Sequence, residues 1–201
     1  SRGDIIQRAL PLACVLTLPA TGSEMNCGSV ISRAALHEKR TVISPHTFPR
    51  FSILDPETTY SLPQKQLRNG IVDSFVHVLE QYITYELQTP LQDRQAEAIL
   101  LTLLELAPRI QENNPDFEAR ASFMWCSTQA LNGLIGCGGV ADFASHDIGH
   151  ELTAFFGLAH AESIAVVLPA LWKHQLMNKI DKLAQYADRI WNIRNESKEM
   201  K

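Results

Sequence analysis

Short apolar runs bounded by turn-forming residues characterise the first sixty residues of the chain. Residues 13–18 and 51–54 are compact hydrophobic runs flanked by proline, glycine or aspartate, a pattern typical of buried strands. Between them, residues 19–24 (PATGSE) are rich in turn formers. Three or four strands without alternating helices cannot complete an α/β sheet, so residues 1–60 are predicted to be the remnant of one.

From residue 61 onward the apolar residues follow the helical period, and breaks rich in proline, glycine or asparagine separate the helical stretches. The predicted helices begin near Ser61, Thr89, Asn114, Asp142 and His160, and the second, third and fourth end near Ile110, Leu134 and Phe156. Residues 195–201 form a polar tail without an apolar period. The fold class is therefore mainly α, with residues 61–201 as a helical domain.

Local signals support these helix boundaries. Ser61 and Gln64 have the spacing of the N-cap and N3 residues of a capping box. Gly157 is expected to be the C′ residue of the fourth helix. Pro169 is expected to interrupt or kink the fifth helix, because proline lacks the backbone N–H that a helix interior needs.

The composition narrows the class of protein. The chain has 201 residues, 45% hydrophobic and 20% charged, and is long enough to bury a sizeable core. A net charge of -4 gives no argument for nucleic acid or an anionic membrane as a partner, and no apolar run is long enough to span a bilayer. Residues 1–4 do not resemble the start of a signal peptide, and the 4 cysteines form no CxxC pair. We therefore expect a cytoplasmic protein with reduced thiols.

Asp73 and His77 are four residues apart on the first predicted helix and so lie one turn apart on the same side. Asn69, Gly70 and Glu80 share that side. An apolar stripe lies roughly opposite and consists of Leu67, Ile71, Phe75, Val78 and Tyr82. The polar side is either a solvated face or the metal-facing side of a buried helix, since carboxylate oxygens and imidazole nitrogens both bind divalent metals.

A cluster of histidines follows on the fourth predicted helix. His146 and His150 repeat the i, i+4 spacing, and His160 follows just past the end of that helix. A lone histidine is more often structural, but three so close together, after an Asp/His pair on another helix, favour a metal site. Spacing alone nominates His146 and His150 as the ligand pair.

Gly70 and Gly149 accompany the two motifs. Glycine inside a helix costs about 1 kcal/mol relative to alanine. Both glycines therefore indicate either a group that must approach the backbone closely or tight helix–helix packing.

The turn after the first predicted strand carries several polar groups. Thr17, Thr21, Ser23 and Asn26 offer hydroxyls and an amide, and Gly22 offers flexible backbone, to a phosphate or to the ribose of a nicotinamide cofactor. By itself a Thr-Gly-Ser sequence predicts no more than an ordinary turn.

Three separated motifs together resemble the iron-containing alcohol dehydrogenase family. They are LTLPATGSE at residues 16–24, NGIVDSFVH at residues 69–77, and HDIGHEL at residues 146–152 followed by His160. The motifs occur in the family's order and span nearly the whole chain. The similarity is greatest to the branch of butanol dehydrogenases and NADP-dependent aldehyde reductases.

The resemblance implies an Asp-His-His-His metal site made by Asp73, His77, His146 and His160. His150 then lies outside the coordination sphere, faces the substrate cleft and, as a neutral base, relays a proton through water. The implied cofactor contacts surround the nicotinamide end and are Thr17, Thr21, Ser23, Asn26 and Lys39.

The resemblance also implies the fold. Residues 61–201 are expected to form the helical metal-binding domain of a dehydroquinate synthase-like fold, incomplete at its C-terminus. Residues 1–60 are expected to be the last strands of an α/β nucleotide-binding domain. The family's N-terminal phosphate loop and its closing helices are missing from the sequence, so we expect an internal fragment, inactive alone, of a protein nearly twice as long.

The implied activity is that of a metal-dependent alcohol dehydrogenase or aldehyde reductase. Hydride passes between NAD(P)H and an aldehyde while the metal polarises the carbonyl oxygen. The donor set suits Fe²⁺ or Zn²⁺ better than Mg²⁺ or Ca²⁺, and the branch resembled implies NADP(H) rather than NAD(H). The expected partners are a small aldehyde or alcohol and, in the full-length protein, a second copy in a homodimer.

Two other hypotheses are compatible with parts of the sequence. A His-Asp phosphohydrolase would use the adjacent pair His146 and Asp147, with His77 and either Asp181 or Asp188, to hold its metal. That reading leaves the Thr-Gly-Ser turn without a role. A relative closer to dehydroquinate synthase would share the fold but carry out different carbon chemistry, and an Asp in a ligand set with this many histidines argues against it.

Overall fold

The structure is a computed structural model that describes residues 6–111 and 115–194. Four strands precede six α-helices in these ranges. The strands are β1 (Cys14–Leu16), β2 (Gly28–Arg33), β3 (Glu38–Ile43) and β4 (Ser52–Leu54). The helices are α1 (Gln64–Tyr82), α2 (Pro90–Ile110), α3 (Phe117–Leu131), α4 (Ala144–Phe156), α5 (His160–His174) and α6 (Leu176–Trp191). The mainly helical fold class is confirmed.

The two strands predicted from the apolar runs form a parallel pair. β1 and β4 align Cys14 with Ser52 and Leu16 with Leu54. Leu16 is buried, whereas Val15 is 57% exposed. The prediction of fully buried strands is therefore wrong for one face of the pair, because nothing in the described residues covers that face.

An antiparallel hairpin of β2 and β3 was not predicted. Its connection contains a 3₁₀ turn, Ala34–Leu36, and ends at His37 with φ +50°, so it lacks the short Asn-Gly or Asp-Gly turn by which hairpins are recognised in sequences. The tip of the hairpin reaches α4. There the His37 ring stacks on Phe155 with centroids 6.0 Å apart, which holds β3 beside the helix that carries His146.

Helix α1 lies at the centre of the helical part and packs against α2, α3 and α5. Its apolar stripe contributes Leu67 and Val78 to the core. The side that carries Gly70, His77 and Glu80 is buried as well. The alternative of a solvated polar face is therefore wrong, because α4 and α5 complete the enclosure of α1.

Two of the predicted helix signals differ in the structure. Ser61 does not cap α1, which begins at Gln64 after Pro63 and has no side-chain cap. Gly157 does end α4 in the left-handed conformation, with φ +68°. Pro169 lies inside a continuous α5 and does not end it. The predicted break at Asn114, the polar tail 195–201 and residues 1–4 lie outside the described residues.

Helix α6 was not among the predicted elements, and polar pairs attach it to α2. Lys182 contacts both carboxylate oxygens of Asp93 at 2.7 and 2.8 Å, and Arg189 donates to Glu97 at 2.7 Å.

None of the helices in the described ranges is both long enough and apolar enough to cross a membrane. The domain boundary near residue 60 stays a prediction.

Candidate metal centre

Three helices bring the predicted ligands to one place. Asp73 and His77 lie one turn apart on the buried side of α1. His146 is in the first turn of α4, and His160 is the first residue of α5. Because α4 and α5 pack closely against each other and α5 packs on α1, all four side chains converge.

One carboxylate oxygen lies near the ring nitrogens of three histidines. Asp73 Oδ1 is 3.6 Å from His77 Nε2, 3.5 Å from His146 Nε2 and 3.7 Å from His160 Nε2. Ligand atoms held about 2.1 Å from one ion in a tetrahedron are about 3.4 Å apart. The distances from Asp73 to the three imidazoles are therefore close to those between ligands of a single divalent cation, and Asp73, His77 and His146 form a possible metal site.

Unpaired polar atoms support the same fit. Asp73 Oδ1 and His146 Nε2 are buried and have no hydrogen-bond partner within the described residues. Buried polar atoms are rarely left unpaired, because each costs the desolvation of that group. A cation placed between these two atoms would satisfy both, which is the donor chemistry expected of a carboxylate and an imidazole.

The four candidate ligands are not equivalent. Asp73, His77 and His146 form the tightest group, in which one ligand atom from each lies within 4.8 Å of the others. His160 falls outside this group, yet its Nε2 is as close to Asp73 Oδ1 as the other two imidazoles are. Its side chain is 28% exposed, so His160 lies on the open side of the site.

Burial keeps two of the imidazoles neutral. It lowers the pKa of His77 and of His160 to about 4, although the charge of Asp73 opposes the shift. A neutral imidazole has the free lone pair that a metal requires. Burial alone would raise the pKa of Asp73, but His77 and His146 hold it below its ordinary value, so the carboxylate is ionised.

His146 differs from its neighbours. Burial would lower its pKa, but the carboxylates of Asp73 and Glu80 outweigh burial and raise the pKa to about 9. In the absence of another cation, His146 is therefore protonated on both ring nitrogens near pH 7 and carries a positive charge. A metal ion would take the place of the proton between His146 and Asp73.

His150 lies beside the cluster. Its ring centroid is 5.0 Å from that of His160 and 6.4 Å from that of His146. The residue is half-buried, and burial together with the charge of Lys39 lowers its pKa to about 4. The ligand pair nominated from spacing alone, His146 with His150, is not the tightest group in the structure.

The predicted cofactor residues are divided between two places. Lys39, on β3, lies at the metal centre, with Nζ 3.4 Å from His160 Nδ1. The other four lie on the loop that follows β1 and are Thr17, Thr21, Ser23 and Asn26. This loop contacts α1 one turn before Asp73, since a Cβ on Gly70 would lie 3.3 Å from the carbonyl oxygen of Pro19.

Within the loop, side chains bond locally. Thr21 and Ser23 hydroxyls are 3.0 Å apart, and Asn26 accepts from the backbone N–H of Gly28 at 2.9 Å. Gly22 has φ +71°, and a Cβ there would lie 2.3 Å from the Asn26 amide. The turn predicted around the Thr-Gly-Ser sequence is confirmed, and Thr17, Thr21 and Ser23 are exposed at it.

The helical glycines allow close packing between parts of the protein. At Gly70 a Cβ would lie 3.1 Å from the ring of Phe123, and at Gly149 it would lie 2.8 Å from the Ile164 side chain. Helix packing therefore accounts for Gly149, whereas Gly70 is approached both by a helix and by the carbonyl oxygen of Pro19.

Two further residues of the site were not assigned roles from the sequence. Glu80 contacts the ring of His146 from the side opposite the cluster. Its position seven residues after Asp73, on the same side of α1, is a signal that could have found it. Phe143 packs edge-on against His146, with centroids 5.5 Å apart, and no pattern in the sequence indicated it.

The adjacent pair required by a His-Asp phosphohydrolase is not brought together. His146 is buried, whereas Asp147 is exposed. Neighbouring residues on a helix point in directions about 100° apart. The two side chains therefore face different surroundings here, and the structure gives no support to this alternative.

A helical domain with a buried Asp/His centre, preceded by a few strands, defines a class of metal-binding fold, and comparison with known proteins identifies it. The C-terminal model of the Fe-containing alcohol dehydrogenase family matches residues 68–201, and the iron-containing alcohol dehydrogenase model matches residues 2–56. The chain belongs to the iron-containing alcohol dehydrogenase family.

Individual relatives agree with this assignment. The NADPH-dependent aldehyde reductase YqhD of Escherichia coli is 53% identical over 95% of this chain and 49% of its own length. A probable NADH-dependent butanol dehydrogenase of Bacillus subtilis is 40% identical over 94% of this chain and 49% of its own length. The chain spans about half the length of the curated relatives it matches.

Solved structures show the same fold. The crystal structure of E. coli YqhD superposes with a TM-score of 0.95 at 51% identity, covering 97% of this chain and 50% of that one. An NADH-dependent butanol dehydrogenase from Thermotoga maritima superposes with a TM-score of 0.91 at 34% identity, covering 97% of this chain and 49% of that one.

Proposed function

We propose that the protein is a metal-dependent alcohol dehydrogenase or aldehyde reductase that transfers hydride between NADP(H) and a small aldehyde or alcohol. One observation carries the proposal: Asp73 Oδ1 is surrounded by the Nε2 atoms of His77, His146 and His160 at 3.5 to 3.7 Å. The similarity to an NADPH-dependent aldehyde reductase favours NADP(H) over NAD(H).

Asp73, His77, His146 and His160 would hold Fe²⁺ or Zn²⁺. One carboxylate and three imidazoles suit either ion and suit Mg²⁺ or Ca²⁺ poorly. Such an ion, when bound, supplies Lewis-acid polarisation of a carbonyl oxygen, and the nicotinamide supplies the hydride. The partly exposed position of His160 leaves this side of the centre open to a small substrate.

His150 is the residue that we assign to proton transfer. It is half-buried and neutral near pH 7, because burial and the neighbouring Lys39 lower its pKa to about 4. Its ring lies 5.0 Å from that of His160, so it stands beside the ligands without belonging to the tightest group. In this position it can pass a proton between solvent and the substrate oxygen through water.

We assign the nicotinamide end of the cofactor to the loop after β1 and to Lys39. Thr17, Thr21 and Ser23 are exposed at this loop, and Asn26 orders its backbone. Lys39 reaches the metal centre from β3 and brings a cation beside the site. A cation at this position would attract the negatively charged cofactor.

The test is metal analysis of the full-length protein, combined with NADPH-dependent reduction of butyraldehyde before and after treatment with a chelator. We expect about one equivalent of iron or zinc, loss of activity on chelation and its return on reloading. Full activity in metal-free protein would overturn the proposal. The homodimer and the cytoplasmic location stay predictions, to be tested by sedimentation and by cell fractionation.

A further inference from the structure

Glu80 is a buried carboxylate that the proposed reaction does not use. It lies on α1 and is 4% exposed. Two contacts surround its carboxylate: Oε1 accepts the backbone N–H of Ser145 at 2.6 Å, and Oε2 contacts Nδ1 of His146. Its own backbone carbonyl accepts from the N–H of Asp142 at 2.9 Å. Glu80 therefore joins α1 to the beginning of α4.

The first turn of α4 takes its side-chain acceptors from outside the helix, and one of them is Asp142 Oδ1, which accepts from the N–H of Ala144 at 3.2 Å. Phe143 occupies the N-cap position and makes no side-chain cap hydrogen bond. The first N–H groups of a helix need acceptors from outside the helix, and an anion there is also stabilised by the helix dipole. Glu80 supplies such an acceptor to Ser145, so this carboxylate fixes the first turn of α4, from which His146 projects.

The contact with His146 determines which ring nitrogen is free. A carboxylate only accepts hydrogen bonds, so Nδ1 must be the protonated nitrogen. In a neutral imidazole Nε2 then holds the lone pair, and Nε2 is the atom that lies 3.5 Å from Asp73.

The other two histidines lack a comparable partner in the described residues. His77 Nδ1 is buried without a hydrogen-bond partner. His160 Nδ1 lies near Lys39 Nζ, a donor, which does not favour a proton on that nitrogen. Among these three histidines, only His146 therefore has a carboxylate, that of Glu80, at its Nδ1 in the described residues.

We infer that Glu80 is a positioning residue for the metal centre: it holds His146 with Nε2 directed at the ion and fixes the first turn of α4 through Ser145. The inference rests on the proposed metal site. Carboxylates that bond a ligating histidine in this way orient the ring and increase its basicity, and their loss costs about 10- to 100-fold in metal affinity.

The discriminating variant is Glu80→Gln. Its amide oxygen can accept from Ser145 only if its NH₂ group faces His146 Nδ1, which then becomes an acceptor and leaves the proton on Nε2. If the amide turns round, two donors face each other at Ser145. The variant therefore either loses the contact with Ser145 or holds His146 in the tautomer that has its proton on Nε2, although the size of the side chain is nearly unchanged.

The matched control is Glu97→Gln. Glu97 is also buried, at 5% exposure, but its carboxylate contacts Tyr82, Arg94 and Arg189 instead of a metal ligand. We expect this variant to lower thermal stability and to leave metal affinity unchanged. It separates an effect on the site from a general effect of removing a buried charge.

The measurement is competition between a chelator and the full-length protein for Zn²⁺, with the absorption spectrum of the Co²⁺-loaded protein as a second readout. We expect Glu80→Gln to bind Zn²⁺ about 10- to 100-fold more weakly than wild type and to alter the Co²⁺ bands. Equal affinity in wild type and Glu80→Gln overturns the role of Glu80. An equal loss in Glu97→Gln also overturns it. Absence of Zn²⁺ binding in wild type would instead remove the proposed function.

Wild-type protein offers a test that does not depend on folding of the variant. Nitrogen NMR of the histidines in the Zn²⁺-loaded protein should show His146 protonated at Nδ1 and bound through Nε2. Binding through Nδ1, or no proton on Nδ1, overturns the inference.

Discussion

Nε2 of His160 lies 3.7 Å from Oδ1 of Asp73, although the two residues belong to different helices, α5 and α1. His150 lies on α4, and its ring is next to that of His160. It is not a member of the tightest group of ligand atoms. The two histidines should therefore fail in different ways when they are removed.

We expect His160→Ala to lose metal and His150→Ala to keep it. Removal of a ligand's hydrogen-bond partner weakens metal binding about 10- to 100-fold, and removal of the ligand itself should weaken it further. Removing a proton-transfer group should slow aldehyde reduction about 100- to 10,000-fold. Metal content and steady-state kinetics of both full-length variants distinguish the two. A His160→Ala protein with full metal occupancy would contradict the ligand assignment.

Gly149→Ala should destabilise the protein. An alanine in a helix is usually about 1 kcal/mol better than glycine, but here its Cβ would lie 2.8 Å from the side chain of Ile164 and 3.1 Å from the hydroxyl of Ser163. Overpacking of this kind costs about 1–3 kcal/mol. Urea denaturation measures the change. Gly28→Ala is the control, because its nearest neighbour would lie at an ordinary 3.5 Å, and a stabilised Gly149→Ala protein would contradict the packing argument.

Lys182→Met should weaken the attachment of α6. The Lys182 and Asp93 side chains are only 7% and 13% exposed, and their charged atoms are 2.7 Å apart. Removal of one partner leaves a buried charge uncompensated, which costs about 3–5 kcal/mol. The free energy of unfolding should fall accordingly. Lys65→Met breaks an exposed pair with Glu162 and should leave stability unchanged within error. An equal change in the free energy of unfolding for both variants would contradict the prediction that the buried pair contributes more to stability than the exposed pair.

Cys126 should react slowly with thiol reagents. Burial raises the pKa of its thiol to about 11, so about one molecule in a thousand carries the thiolate at pH 8. Since the pKa is raised, the rate should increase about tenfold for each pH unit up to about 11. Alkylation followed by mass spectrometry compares Cys126 with the exposed Cys137. Faster labelling of Cys126 than of Cys137 in the folded protein would contradict this prediction.

Much of the helical part could be predicted because its signals are local. The i, i+4 spacing of Asp73 and His77 follows from the helical period alone, and Gly157 ends α4 where a left-handed residue was expected. The capping box at Ser61 was wrong, because Pro63 starts the helix later and the serine hydroxyl makes no cap. Local motifs identify a helix more reliably than they locate its first residue.

The arrangement of the site could not be predicted from spacing. His146 and His150 have the spacing of a ligand pair. However, the chain reverses after α4 and α5 packs against it, which brings His160 close to Asp73 as well. That reversal depends on how two helices pack, which no sequence interval records. The resemblance to a known family supplied this information, and the contact of Glu80 with His146 was found only when α1 and α4 were placed together.

The short passage between α4 and α5 has a consequence for comparing and redesigning such sequences. Residues 157–159 join a helix that ends at Phe156 to one that begins at His160. Each residue added to the start of α5 would swing the imidazole by about 100° around the helix and 1.5 Å along it. The length of residues 157–159 therefore determines where His160 lies relative to the candidate metal centre. We expect insertions and deletions to be rare at these residues in related sequences. Segments grafted into the protein should be inserted elsewhere, for instance at the glycine-rich loop of residues 136–139.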